Sequence, residues 1–402
     1  MTLTASLIKE LFKGFTVQRW NDKIRTVELI EIDKHAHKMF IAFILGKYEE
    51  LGGREVNWND IIKGGIFELL RRIVISDIKS PIFYKIRLDY PDTFKKLNEW
   101  VFAQIKGKIN NKQIEDEFSS FLMDENYLAP FSSKILDAAH IYASNWEFQK
   151  IIKHANPDGY QINSIERDLL AAIDSHLDLI GMQKLIARRP ISDFIDLCGQ
   201  LRFQIRWSQT PRLPKTSVLG HSMFVAIMSY FFARDNNACS QRLYNDFFGG
   251  LFHDLPEAVT RDIISPVKMS SVEFMELIQH IEVDLADKEI MPLLESEWRS
   301  EIRYFTRDEF ANKIIHDDKP DKISSVSLLN QNYNDDKFNP IDGHLIKAAD
   351  RLAAFIEAWT SVGLGIRTEE LVSACQSITE RFGNEHFGNI DMSNIYSEFN
   401  VD

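Results

Sequence analysis

Cysteine is scarce in this chain: three in 402 residues. Cys198, Cys239 and Cys375 are odd in number and far apart, so they form neither a disulfide framework nor a paired zinc motif. They read as small buried apolar residues of a protein kept in a reducing cytoplasm. Long hydrophobic runs are absent too. No stretch approaches the roughly 18 apolar residues of a membrane span. The N-terminus turns charged at Lys9-Glu10 and lacks the basic start and apolar core of a secretion signal. An excess of basic charge is also missing. With 47 basic and 59 acidic side chains the net charge is −12, which argues against an extended nucleic-acid surface. A small phosphorylated substrate stays open, because Arg206, Arg212, Lys215, Arg261, Lys268 and Arg351 lie near the motifs described below.

Alternating strand patterns bounded by hairpin turns are not found either, and the chain reads as all-α. Residues 223–233 are apolar on most faces, as in a central buried helix. Phe274, Leu277, Ile278, Ile281 and Leu285 recur at helical spacing within residues 272–289, and residues 345–359 do the same. The polar stretch 316–340 reads in part as loop, placed to cover the mouth of a site. The length suits about two domains.

The chemistry concentrates in Phe252-His253-Asp254-Leu255-Pro256-Glu257, with His221 upstream and Asp350 downstream in Ala348-Ala349-Asp350-Arg351. An isolated His-Asp pair says little. Flanked in order by a further His and a further Asp, it offers one ion two imidazoles and two carboxylates, a set suited to a divalent cation that activates water. Glu257 follows at i+3 and i+4, on the same face if the helix continues.

This order resembles the HD superfamily of metal-dependent phosphohydrolases. Arg206-Trp207 before His221, Glu257 after the pair, and Asp262 before Ile263-Ile264-Ser265-Pro266-Val267-Lys268 are similar to the branch holding the bacterial 5'-deoxynucleotidases. The resemblance covers about residues 200–370. It implies that His221, His253, Asp254 and Asp350 bind one divalent ion (Mn, Co, Ni, Mg, Fe or Zn). Glu257 and Asp262 become catalytic residues, while Arg206, Trp207 and Lys268 contact the substrate. A turn-capping role for Asp262 and a structural role for Arg206-Trp207 stand beside these readings. His280 and His316 fall where dinuclear members carry ligands for a second metal.

The chain also contains itself twice. Residues 64–70, Gly-Gly-Ile-Phe-Glu-Leu-Leu, match residues 249–255, Gly-Gly-Leu-Phe-His-Asp-Leu, at an offset of 185. Val74, Asp77, Ile78, Ser80 and Pro81 continue the match. His37 aligns with His221 at an offset of 184, Arg19-Trp20 with Arg206-Trp207, and His140 with Asp350. The expectation is two HD-like helical bundles: a degenerate one over 1–185 and an intact one over 186–402. In the first, Glu68-Leu69 replaces His253-Asp254 and Arg72 replaces Glu257. An unrelated site built from His35, His37, Glu68 and His140 is the alternative there.

The leading expectation is a phosphohydrolase releasing phosphate from (deoxy)nucleoside 5'-monophosphates. The alternatives are a nucleotide triphosphohydrolase, a phosphodiesterase, a di-iron oxygenase, or a nucleotide sensor without turnover. The expected partner is a small phosphorylated molecule rather than a membrane, and a homo-oligomer is left open.

Overall fold

A computed structural model describes residues 1–76, 78–261 and 271–399 of the chain. It is helical, with only short antiparallel pairings between the helices. At its centre lies the helix Val218–Asp235, in which every residue from Val218 to Ala233 is buried. A helix without a polar face is stable only when other elements surround it. Here the helices Glu31–Leu51, Ser240–Phe252 and Gly343–Gly363 all pack against it. Its start is fixed by Ser217, whose hydroxyl accepts from the Gly220 N–H at 2.9 Å.

One hydrophobic cluster runs through both halves of the chain. Phe40 meets Phe252 edge-on at 4.8 Å, Phe43 meets Phe248 at 5.0 Å, and Phe12 meets Phe224 at 5.8 Å between ring centroids. Polar contacts cross between the halves as well. Arg202 Nη1 donates to Glu147 Oε1 at 2.9 Å, and its guanidinium lies over Trp146.

One local expectation needs correction, and one is met by a helix that lies exposed. Within the stretch read as loop, Lys319–Ile323 folds back on Asn312–His316 as a hairpin, and Asn312–His316 also pairs with Ile341–Asp342. The turn is Asp317-Asp318, with φ of 48° and 59°. That left-handed pair is the geometry a two-residue hairpin requires, supplied here by two aspartates in place of the usual Asn-Gly. The periodic stretch at 272–289 does form a helix, Val272–Leu285, but none of its residues is buried. Among the described residues no helix is long and apolar enough to cross a membrane.

The junction between the halves holds a buried acid. Asp33 accepts a hydrogen bond from the Ser217 hydroxyl, and burial pushes its carboxyl up to about 7 from an ordinary 3.8, with Arg202 opposing. Between those two values the unfolded chain gives up this proton while the folded chain keeps it. Stability therefore falls as pH rises from about 4 to 7. Asp33→Asn should remove that slope, stabilising the protein at pH 8 by a few kcal/mol, roughly, and far less at pH 4. Urea unfolding at the two pH values reads the difference.

Candidate metal centre

Three helices and one turn bring the ligand candidates together. His221 sits in the first turn of the central helix. Gly250 lets the helix Ser240–Phe252 settle onto it, since a Cβ there would stand 2.8 Å from the Ala226 Cα. That helix ends at Phe252, and His253 caps it. The two imidazoles face each other with centroids 5.6 Å apart. Asp350 arrives from the helix Gly343–Gly363, whose Ala348 and Ala349 are buried and small enough for close approach.

His221 Nε2 stands 3.0 Å from Asp350 Oδ1 and 3.8 Å from Asp254 Oδ2. His253 Nε2 is 3.2 Å from the same Asp254 oxygen. One ligand atom each from His221, His253 and Asp254 lies within 4.8 Å of the others, the one such group among the described residues. Asp350 reaches this group through His221.

The chemistry of the donors fits a divalent cation. His253 Nδ1 lies 2.8 Å from the Gly250 carbonyl, so the ring donates there and turns Nε2 inward as an acceptor. His253 Nε2 and Asp254 Oδ2 are both buried and neither makes a hydrogen bond. Buried polar atoms left this way are costly unless something binds them. Burial works against charging His253, yet the Asp254 carboxylate beside it lifts the ring to about 9. Burial raises the Asp254 and Asp350 carboxyls, but the neighbouring imidazoles and Arg206 win and hold both below the ordinary range. Ionised carboxylates beside imidazoles are donors that a metal ion of charge +2 can occupy, taking the place of the proton on His253.

Arg206 and Trp207 are found at the same centre. Arg206 Nη1 is 3.7 Å from Asp254 and Nη2 is 4.0 Å from Asp350. Trp207 has φ 57°, and its indole N–H is spent on Glu357 Oε2 at 2.7 Å. This bond anchors the edge of the indole and leaves the expected substrate contact of Trp207 to the face of the ring. Glu357 itself was not expected. It is wholly buried, seven residues and two helical turns after Asp350, and faces Arg206, Thr216 and His221 besides Trp207. That seven-residue spacing on one helix face is the sequence signal that could have found it. Glu309 and Phe310 were missed as well. The Phe310 ring lies 6.1 Å from His253, and burial pushes the Glu309 carboxyl up.

Glu257 is buried and opens the short helix Glu257–Thr260. The chain between Phe252 and Glu257 is not a continuous helix, so the expected face argument does not apply as stated. Tight bonds from Leu255 N to Phe252 O and from Glu257 N to Asp254 O keep Glu257 one turn past the ligands. The Gln204 amide pins its carbonyl at 2.9 Å. Asp262 and Lys268 lie outside the described residues, as does Asp77. His280 is on the exposed helix Val272–Leu285 and His316 is 62% exposed at the hairpin, so neither joins the ligand group.

The first half places like contacts in like order with different chemistry. Trp20 has φ 53°, and its indole donates to Glu147 at 2.9 Å, with Arg19 on the same carboxylate. Glu147 follows His140 by seven residues, as Glu357 follows Asp350. The pairs Gln18 with Ile30 and Ile205 with Ser217 stand 187 residues apart at both ends. The same offset sets Lys34, not His37, opposite His221. Lys34 contacts His140, as His221 contacts Asp350, and Lys38 pairs with Glu68. His37 instead faces the Ile195 carbonyl at 3.0 Å and the edge of Trp146. The sequence match and this contact pattern thus differ by three residues, nearly one turn, a shift that leaves a helix's apolar face almost in register. The alternative site of His35, His37, Glu68 and His140 is not assembled, since two lysines fill the space beside Glu68 and His140.

No curated protein matches the chain. Residues 198–379 match the model of a family described as HD domain. That span contains His221, His253, Asp254, Asp350, Arg206, Trp207 and Glu357. Within its second half the chain is thus similar to the HD domain, a helical domain of metal-dependent phosphohydrolases.

Proposed function

We propose that this HD domain is a phosphomonoesterase acting on (deoxy)nucleoside 5'-monophosphates, close to the bacterial 5'-deoxynucleotidases. The observation that carries the metal-dependent part is the buried pair His253 Nε2 and Asp254 Oδ2, inward-facing and without hydrogen bonds. His221, His253, Asp254 and Asp350 hold one divalent ion. When bound, such an ion would polarise a phosphoryl oxygen and let bound water lose a proton, supplying hydroxide for attack on phosphorus. Glu257 takes or returns the proton, with Asp262 as the second acid. Arg206 and Lys268 supply positive charge to the phosphate, and Trp207 keeps Arg206 in place. The substrate is small and phosphorylated, and the protein works in the cytoplasm.

The two halves, 1–185 and 186–402, are read as a duplication with one working copy. Lys34 and Lys38 support this reading. Their amino groups stand beside Glu68 and His140, in the part of the first half that corresponds to the metal centre.

A phosphate-release screen of nucleotides with Mn, Co, Ni, Mg and Zn tests the activity. Orthophosphate from monophosphates is the expected product. Pyrophosphate, triphosphate, oxygen uptake, or tight binding without turnover would each replace this reading with another.

Arg206→Ala should raise the Michaelis constant about tenfold or more, since a hydrogen bond to a charged group contributes roughly 1.5–3 kcal/mol. Arg19→Ala should leave it unchanged, because Arg19 is buried between Glu31 and Glu147. Equal impairment in two folded variants would bring the first half into the active site.

A further inference from the structure

We infer that Glu357 is a positioning residue of the metal centre, fixing the His221 imidazole and the Arg206 guanidinium relative to each other. The inference rests on the metal-centre reading above.

The carboxylate lies at 0% exposure, where an ion is costly unless its oxygens are well supplied with donors. Both are supplied. Oε2 receives the Trp207 indole at 2.7 Å and faces Arg206 Nε at 3.4 Å. Oε1 receives the Thr216 hydroxyl at 3.0 Å and stands 3.5 Å from His221 Nδ1. His221 Nδ1 is buried and has no hydrogen-bond partner of its own, so this carboxylate is the acceptor it faces. With a proton on Nδ1 directed at Glu357, the Nε2 lone pair points to Asp254 and Asp350, where a metal binds. A ligating histidine needs such an outer partner to fix its ring and its tautomer. Glu357 also sets where Arg206 ends, with Nη1 and Nη2 beside the two ligand aspartates.

The first half separates this role from a merely structural one. Glu147 holds Trp20 and Arg19 in the same way and takes Arg202 in addition. What stands opposite His221 there is Lys34, which has no ring nitrogen to orient. Holding the Trp-Arg pair is therefore common to both halves. Orienting a ligand imidazole belongs to the second half alone.

The test is calorimetric titration of the metal-free full chain with Mn²⁺, for the wild type, Glu357→Gln, Glu147→Gln and Asp254→Ala, beside thermal unfolding of each. Glu357→Gln should weaken Mn²⁺ binding about 10–100-fold, the usual effect of removing an outer partner of a ligating histidine. Glu147→Gln should lower the melting temperature and leave Mn²⁺ affinity at the wild-type value. If Glu357→Gln does not fold, Thr216→Val, which removes one donor from the same carboxylate, should weaken binding by a smaller factor. Wild-type affinity in Glu357→Gln, or an equal loss in Glu147→Gln, overturns the assignment. If Asp254→Ala binds Mn²⁺ like the wild type, the ion sits elsewhere and the metal-centre reading itself falls. If Asp254→Ala loses the ion and folded Glu357→Gln does not, only the role of Glu357 falls.

Discussion

Asp254→Ala is expected to remove bound metal and turnover together, while His37→Ala leaves both intact. Asp254 Oδ2 is the oxygen shared by the two imidazoles, 3.2 Å from His253 and 3.8 Å from His221. Taking it away leaves a cavity lined by two histidines and one aspartate, with less negative charge to hold a cation. A bound ion contributes several kcal/mol of transition-state stabilisation, so a loss of about 10³-fold or more in rate is expected. His37 is far from this chemistry in kind. It is neutral, pushed down to about 3 by burial and the nearby Arg202, and it serves the packing around Trp146. Elemental analysis of the two purified variants decides the matter. Equal metal loss in both would end the assignment of the metal to the second half.

The contrast between these two histidines shows how far sequence pattern reaches. The structure brings His221, His253 and Asp254 together, with Asp350 beside His221, as their order along the chain suggested, and the helical class followed from apolar periodicity. Register within a helix was not legible. The sequence match sets His37 opposite His221, whereas the like contacts of Trp20 with Glu147 and of Trp207 with Glu357 set Lys34 there, three residues away with the apolar face almost unchanged. Glu357 was overlooked for a related reason. Its seven-residue spacing from Asp350 puts it on the same helix face, but does not show that it is the common acceptor of residues more than a hundred positions upstream. The hairpin at Asn312–Ile323 was missed because its turn is Asp-Asp, a pair that more often signals exposed loop. For Lys34 and Glu357 the missing information lay in contacts between distant segments, which local pattern does not carry.

Glu257→Gln is expected to keep the metal and the substrate and to lose turnover. The residue is buried, one turn past His253 and Asp254, with its backbone held on both sides: its N–H by the Asp254 carbonyl at 3.0 Å and its C=O by Gln204 at 2.9 Å. Such fixing suits a proton carrier, which must stand within hydrogen-bond reach of water or leaving oxygen without being a ligand itself. The amide keeps the side chain's shape and takes away only the ability to exchange a proton. A general acid or base typically contributes 10²–10⁴-fold, so kcat should fall by about that factor while the Michaelis constant and metal content hold. A simultaneous loss of metal would make Glu257 a fifth ligand. Turnover near the parent rate would move the proton to another group, and Asp262, five residues on, is the next to substitute. Because Gln204 lies two residues before Arg206, the carbonyl of Glu257 and the Arg206 guanidinium are tied to one short segment. Gln204→Ala should therefore lower kcat and raise the Michaelis constant together, a pattern that neither Glu257→Gln nor Arg206→Ala gives alone.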